Sequence, residues 1–271
     1  MSFTVLGSTG FIGKALAESL IFQGHSVYSP AGKGEGWLNE VLSRNLGHVF
    51  YCIGLTADFR SRPFDTVEAH VCLLRKILEY GQMDSLTYLS STRIYEGAIS
   101  TDELTMLQGI PANPSHLYNL SKLMGESLCL SSGRKTKVVR LSNVYGQDME
   151  DKNFLSEVLK ESASTGRIRF ETSSKSSKDF ISLQEVVRLL PRIAIDGKFE
   201  IYNLARGKNT TNAEIAELLN QSGVEISFAD ESAEWIFPNI SIQRLQAEFG
   251  KPSRSLEADL PSLLNYFRLK V

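Results

Sequence analysis

The sequence predicts an α/β protein, a doubly wound parallel sheet with a smaller C-terminal lobe. Three observations carry that expectation. Short apolar runs alternate with segments of helical spacing as far as residue 146, a pattern that demands crossover connections between parallel strands. Three glycines, Gly7, Gly10 and Gly13, join the first run to the first helix. Beyond Tyr145 the alternation loosens into helical stretches separated by polar loops, so residues 1–146 and 147–271 are expected to divide the labour.

Phe3 to Leu6 is an apolar run ended by Gly7, and Phe11 to Phe22 then carries Phe11, Ile12, Ala15, Leu16 and Leu20 at helical spacing. Gly24 closes that helix, and His25 to Tyr28 forms a second strand halted by Pro30. One β-α-β unit is complete by residue 29. Ala31 to Gly36 is a Gly/Lys loop, Trp37 to Leu46 a short helix and Val49 to Ile53 a buried strand. A helix over Val67 to Tyr80, a strand over Leu86 to Leu89, a helix over Tyr118 to Leu130 and a strand over Val138 to Leu141 continue the alternation. Further on, Phe154 to Glu161, Leu183 to Ile193, Asn212 to Gln221 and Leu256 to Phe267 read as helices, and Thr172 to Lys178 as a polar Ser/Lys loop. Ile201 to Asn203 suits a strand that crosses back to finish the sheet.

Composition narrows the function classes. Of 271 residues, 42% are hydrophobic and 22% charged, with a formal charge of -2, which argues against disorder and against a nucleic-acid partner. The N-terminus has no basic segment or cleavage site, and no apolar stretch reaches bilayer length. A cytoplasmic protein without a membrane partner is expected. Cys52, Cys72 and Cys129 are odd in number and lack Cys-x-x-Cys spacing, which reads as free thiols in a reducing compartment. The four histidines show no ligand spacing, so no metal is expected.

Between a strand and a helix, glycines act mechanically. Gly7 permits the tight turn, Gly10 lets backbone approach a pyrophosphate and Gly13 lets helix pack on strand. The helix N-terminus offers unpaired N–H groups and a positive dipole end to phosphates. A Rossmann dinucleotide seat is therefore expected from Gly7, Thr9, Gly10, Phe11, Ile12 and Gly13, with Ile53 and Gly54 at the end of the third strand. After the second strand, an acid commonly receives the ribose hydroxyls of NAD. Here Tyr28, Ser29 and Pro30 stand instead, with no acid until Glu35. Ser29 and Lys33 could meet a 2'-phosphate, which tilts the cofactor from NAD toward NADP; Lys33 is equally readable as a solvated loop residue.

Tyr118 and Lys122, four residues apart, share a helix face. A tyrosine is a poor base near neutrality unless its phenolate is stabilised. An ammonium about 4 Å away is worth on the order of 4 kcal/mol at an effective dielectric near 20. The spacing alone is weak, because nine tyrosines give about half an accidental match, and Tyr266 with Lys270 is a second instance. Tyr118 differs because Leu89-Ser90-Ser91 ends a buried strand where open α/β sheets bind ligands. Ser91 can donate to a reacting oxygen while Tyr118 moves its proton.

These residues resemble the extended short-chain dehydrogenase/reductase superfamily, in particular its NAD-dependent epimerase/dehydratase family acting on nucleotide sugars. The likeness runs through Gly7-x-x-Gly10-x-x-Gly13, Ser90-Ser91-Thr92-Arg93-Ile94-Tyr95, Tyr118-Asn119-Leu120-Ser121-Lys122 and Arg140-Leu141-Ser142-Asn143-Val144-Tyr145-Gly146. It continues in Lys178-Asp179-Phe180-Ile181, Tyr202-Asn203-Leu204 and Phe249-Gly250-Lys251-Pro252. The resemblance implies a Rossmann domain over 1–146 and a mainly substrate-binding lobe over 147–271. It also implies a catalytic Ser91, Tyr118 and Lys122, with Lys122 holding the nicotinamide ribose as well. Substrate would meet Ser91, Thr92, Arg93, Asn143 and Lys178, the last standing where an arginine often binds phosphates. The implied activity is nucleotide-sugar epimerisation, hydride moving at a ring carbon such as C4, within polysaccharide biosynthesis. NADPH-dependent reduction of a ketosugar is the alternative, and a non-catalytic NAD(P) sensor, which usually loses the Tyr or Lys, the third. Dehydratases of the family carry Asp-Glu after the Ser/Thr; Thr92-Arg93 disfavours dehydration. His70 replaces a common asparagine. About 18 residues between Pro30 and Val49 are too few for the family's usual extra strand, so a trimmed sheet edge is expected. The family often forms a homodimer through the helices corresponding to 67–80 and 118–130, although burial within one subunit explains the same apolar residues.

Overall fold

The computed structural model describes residues 1–55, 58–149 and 153–270. The chain runs β1 (Ser2–Leu6), α1 (Phe11–Phe22), β2 (Ser26–Tyr28), α2 (Gly34–Leu42), β3 (His48–Tyr51), α3 (Pro63–Val67), a π-helical turn (Glu68–Cys72), α4 (Leu73–Tyr80), β4 (Ser85–Ser91), a 3-10 turn (Thr92–Tyr95), α5 (His116–Ser131) and β5 (Thr136–Leu141). It continues β6 (Asn143–Tyr145), α6 (Phe154–Thr165), β7 (Arg167–Thr172), β8 (Ser177–Ser182), α7 (Leu183–Asp196), β9 (Ile201–Leu204), β10 (Asn209–Thr211), α8 (Asn212–Gln221), β11 (Glu225–Ala233), α9 (Gln243–Phe249) and α10 (Leu256–Arg268).

Six parallel strands form the main sheet in the order β2-β1-β3-β4-β5-β9. Alternate side chains serve its two faces. Phe3, Val5, Phe50, Leu89, Val139 and Leu141 pack with α1 and α7, whereas Leu6, Val49, Tyr51, Leu86, Tyr88 and Val138 pack with α2 and α4. Burial on both faces explains why these strands read as nearly continuous apolar runs. Strand order reverses between β1 and β3, because β1 pairs with both β2 and β3. At that point the carboxyl ends of two strands open a crevice. With β2 at the margin, the sheet has the trimmed edge expected from the short connection after it.

The expected return of the chain occurs, since β9 pairs with β5 as the sixth strand. The later part holds more strand than the sequence suggests: a three-stranded sheet β10-β8-β6 and a parallel pair β11-β7. The loop expected over Thr172 to Lys178 is present over residues 173–176, while Thr172 ends β7 and Ser177 and Lys178 open β8. The start of β8 was hidden because Ser177 and Asp179 are buried polar residues, Asp179 held by hydrogen bonds to the backbone of Gly207 and Lys208. The helix expected over Trp37 to Leu46 spans Gly34–Leu42, and Leu46 belongs to the core through its contact with the sheet. The helix expected from Val67 begins at Pro63, a residue whose fixed φ suits a first helical turn. A second core joins α6, β7, α8 and α10 through Leu159, Phe170, Ile215, Leu219 and Leu264.

Candidate active site

The glycine turn is built by close approach of backbones. Gly7 has φ 88°, and a Cβ there would lie 2.9 Å from the Cys52 carbonyl carbon and the Ile53 nitrogen. Gly13 is tighter, with its hypothetical Cβ 2.3 Å from the Gly7 carbonyl oxygen. Both are required by the protein itself. Gly10 is not, because its Cβ would meet only the Gly7 oxygen, at 3.5 Å, and its φ of -83° suits any residue. Gly10 is the N-cap of α1 and supplies no side-chain cap to the first N–H groups. A cradle that a methyl group would narrow, at an uncapped helix N-terminus, fits a dinucleotide pyrophosphate.

Opposite the turn lies α5, whose approach depends on Gly125. A Cβ there would fall 2.4 Å from the Tyr88 hydroxyl and 2.8 Å from the His70 carbonyl oxygen. The π-helical turn frees carbonyl groups from the regular ladder. Tyr51 donates to the Ala69 oxygen at 2.7 Å and Tyr88 to the His70 oxygen at 3.3 Å, so two strand tyrosines hold the irregular turn.

His70 thereby reaches the site. It is fully buried, and its ring meets the Tyr118 ring edge-on with centroids 5.3 Å apart. Leu55 N donates to His70 Nε2 at 3.2 Å, while Ser121 Oγ donates to the Tyr118 carbonyl at 2.9 Å. Ser121 Oγ therefore accepts from His70 Nδ1–H, 2.8 Å away. Burial, reinforced by the Lys122 charge, lowers the His70 pKa to about 2, so the ring is neutral. Phe59 closes the other side of Tyr118, with centroids 5.3 Å apart.

Lys122 is buried, and its Nζ donates to the Leu89 carbonyl at 2.8 Å. Burial lowers its pKa to about 8, opposed by the nearby Glu126 carboxylate. Glu126 is committed elsewhere: it pairs with Arg140 at 2.7 Å and accepts from Ser90. Arg140 also donates to the Tyr95 hydroxyl at 2.6 Å, and Tyr95 to Asn203 at 2.8 Å. Thus Tyr95, Arg140 and Asn203, which carried the sequence resemblance, tie α5 to the sheet beneath the site.

One cavity of about 610 Å³ brings together Gly10, Phe11, Ile12, Gly13, Ile53, Gly54, Ser91, Thr92, Arg93, Tyr118, Lys122, Asn143 and Lys178. Ser91 ends β4, and its Oγ accepts from Arg93 N at 3.2 Å. Asn143 donates to the Asp179 carbonyl at 2.8 Å. The Asp179 carboxylate accepts from the backbone of Arg206, Gly207 and Lys208, fixing the strand that presents Lys178. Lys178 Nζ sits 4.8 Å from the Phe154 ring centre, its pKa lowered by burial and by Arg93. Gly7 underlies the turn, and Thr9 borders a neighbouring cavity of about 500 Å³ that shares Gly10 and Phe11. Ser29 and Lys33 lie exposed beyond β2, outside both linings. Beside them the Tyr28 hydroxyl donates to Glu40 at 2.9 Å, an acid that the strand-end reading did not reach. Arg60, Glu96, Trp235 and Phe237 also line the main cavity, and only the chain's return from distant segments places them there. The second Tyr-x-x-x-Lys step lies elsewhere, with Tyr266 and Lys270 both bound to Asp148.

The model of the family described as NAD dependent epimerase/dehydratase matches residues 3–205, and the chain belongs to that family. A curated relative is GDP-6-deoxy-D-mannose reductase of Pseudomonas aeruginosa, 24% identical over 257 residues, covering 84% of this chain and 83% of the relative. Among solved structures, RMD from Pseudomonas aeruginosa complexed with NADPH superposes with a TM-score of 0.81 at 21% identity, covering 99% of each chain. UDP-glucuronic acid 4-epimerase from Bacillus cereus, in complex with UDP-glucuronic acid and NAD, superposes with a TM-score of 0.80 at 16% identity over 100% of both chains. Among the described residues no helix is long and apolar enough to cross a membrane.

Proposed function

We propose that the protein is an NAD(P)-dependent nucleotide-sugar epimerase in which Tyr118 is the acid/base. The observation that carries this reading is the meeting of the glycine turn, Ser91, Tyr118 and Lys122 in one cavity that also holds Asn143 and Lys178. A bound nicotinamide supplies hydride chemistry; the chain's own residues hold and move the proton. Tyr118 takes the proton of the ring hydroxyl as its carbon, C4 in this reading, is oxidised, and returns it on reduction. Ser91 donates to the same oxygen. The Lys122 ammonium, held by the Leu89 carbonyl, would favour the phenolate and would hold the nicotinamide ribose of a bound cofactor. Asn143 and Lys178 hold the nucleotide-sugar, and reduction from the other ring face inverts the carbon. Dehydration is disfavoured because Thr92 and Arg93 follow Ser91 where that chemistry needs acids.

A second reading, NADPH-dependent reduction of a nucleotide ketosugar, is favoured by the exposed Ser29 and Lys33 after β2 and agrees with the reductase relative. A panel of UDP-, GDP-, CDP- and dTDP-sugars, with analysis of bound cofactor, separates them: retained NAD marks the epimerase, exchangeable NADPH the reductase. Tyr118→Phe should lower turnover by about 10²- to 10⁴-fold with cofactor binding nearly intact. Undiminished turnover in that variant removes Tyr118 from the chemistry.

A further inference from the structure

Two arginines beside the cleft, Arg140 buried and Arg93 half-buried, are treated differently by the fold. Arg140 is fully matched, by Glu126, by the Tyr95 hydroxyl and by the Glu103 carbonyl. Arg93 is held in place without being neutralised. Its guanidinium lies 5.1 Å from the Phe59 ring centre and 5.9 Å from that of Tyr118, inside the main cavity. Its Nε is buried with no hydrogen-bond partner. Glu96, the carboxylate whose field it feels, accepts a hydrogen bond from Asn119 at 3.3 Å, and no ion pair joins it to Arg93 among the described residues. A guanidinium whose Nε is shut off from water without a partner carries a cost that a ligand could offset.

We propose that Arg93 receives a carboxylate carried on the sugar ring, so that the substrate is a nucleotide-linked sugar acid rather than a neutral nucleotide hexose. This deepens the function proposed above and rests on it. The diphosphate is the competing anion, and position separates the two. Arg93 sits two residues after Ser91, its backbone nitrogen bonded to the Ser91 hydroxyl, and its side chain flanks Tyr118. It therefore stands beside the carbon that reacts. In a pyranose reacting at C4, the neighbouring C5 carries C6, whereas the diphosphate leaves from C1 across the ring. Lys178, which borders the same cavity from β8 and lies near enough for Arg93 to act on its charge, takes the diphosphate in this proposal. A planar fork matches a carboxylate bidentately, and contact with the adjoining Phe59 and Tyr118 rings keeps that fork oriented.

The test compares matched pairs, UDP-glucose with UDP-glucuronate and GDP-mannose with GDP-mannuronate, using the purified protein with NAD or NADP. In one nucleotide series the acid form should exceed its neutral partner in kcat/KM by about 10- to 100-fold, the discrimination expected of a charge-assisted hydrogen-bonded pair. Arg93→Gln should bring that ratio toward one, chiefly through KM, and Arg93→Lys should restore part of it. Free UDP or GDP should lose affinity in Lys178→Met and keep it in Arg93→Gln. Equal turnover of acid and neutral forms by the wild type overturns the carboxylate site and leaves the epimerase reading standing. Loss of free-nucleotide affinity in Arg93→Gln reassigns the guanidinium to the diphosphate and also overturns it. Neither binding nor turnover of any nucleotide sugar overturns the function and this inference together.

Discussion

The two walls of the cleft are made of different material. The cofactor wall is backbone, with Gly7 and Gly13 pressed against β1 and β3 and the uncapped start of α1 facing the cavity. The opposite wall is side chain, with Arg93, Lys178 and Asn143 brought from three separate segments. That wall tolerates little change at Gly7 and Gly13, where an added Cβ collides with backbone. A side-chain wall can be respecified one residue at a time without moving a strand. That difference explains how one fold can keep its cofactor and change its substrate.

The largest effect should come from breaking the backbone wall. Gly13→Ala places a methyl 2.3 Å from the Gly7 oxygen and should cost about 3 kcal/mol of stability together with cofactor binding. Gly10→Ala sharpens the contrast: its methyl finds ordinary contact at 3.5 Å, so stability should fall by about 1 kcal/mol or less while dinucleotide affinity is lost. Urea melts and cofactor titration of the pair check this, and equal loss of stability in both would contradict the distinction.

Lys122→Met asks what the buried ammonium costs. Its folded pKa of about 8 lies below the ordinary 10.5, so the folded state gives up this proton sooner than the unfolded chain. Stability is therefore reduced below pH 8 and recovers between 8 and 10.5. The Met variant should be more stable than wild type by about 1–3 kcal/mol at pH 7, with the advantage gone near pH 10.5. A pH-independent difference would place the lysine's cost outside its charge. The variant should also lose turnover, because the stabilising cation is gone.

The smallest effect at neutral pH concerns His70, whose contribution changes only in acid. With a folded pKa of about 2 against an ordinary 6.5, it stays neutral in the fold while the unfolded chain takes up a proton below pH 6.5. Its contribution is thus present above pH 6.5 and lost as pH falls toward 2. His70→Asn should flatten the acid limb of stability by about 1.4 kcal/mol per pH unit between pH 6 and 4. An unchanged slope would mean that the histidine opens to water before it titrates.

Much of the main sheet was legible because both faces of its inner strands are buried, leaving apolar runs bounded by turn residues. Gly7, Gly10 and Gly13 were legible because a tight turn admits few alternatives. The Tyr118–Lys122 step was legible as a pair, yet its setting was not: the π-helical turn that delivers His70 depends on hydroxyls from Tyr51 and Tyr88, residues distant in sequence. The start of β8 escaped notice because Ser177 and Asp179 are buried without apolar side chains, Asp179 through hydrogen bonds to the backbone of Gly207 and Lys208.

By itself the order of residues determined the alternating α/β architecture, the glycine turn at the end of β1 and the Tyr118–Lys122 step on one helix, since each arises from periodicity or short-range backbone geometry. Tertiary structure alone decided that Arg140 would be satisfied and Arg93 left open, and that Lys178 would face Ser91 across one cavity. Charge pairing depends on distance in space, and these partners come together only after strands from both halves of the chain have packed.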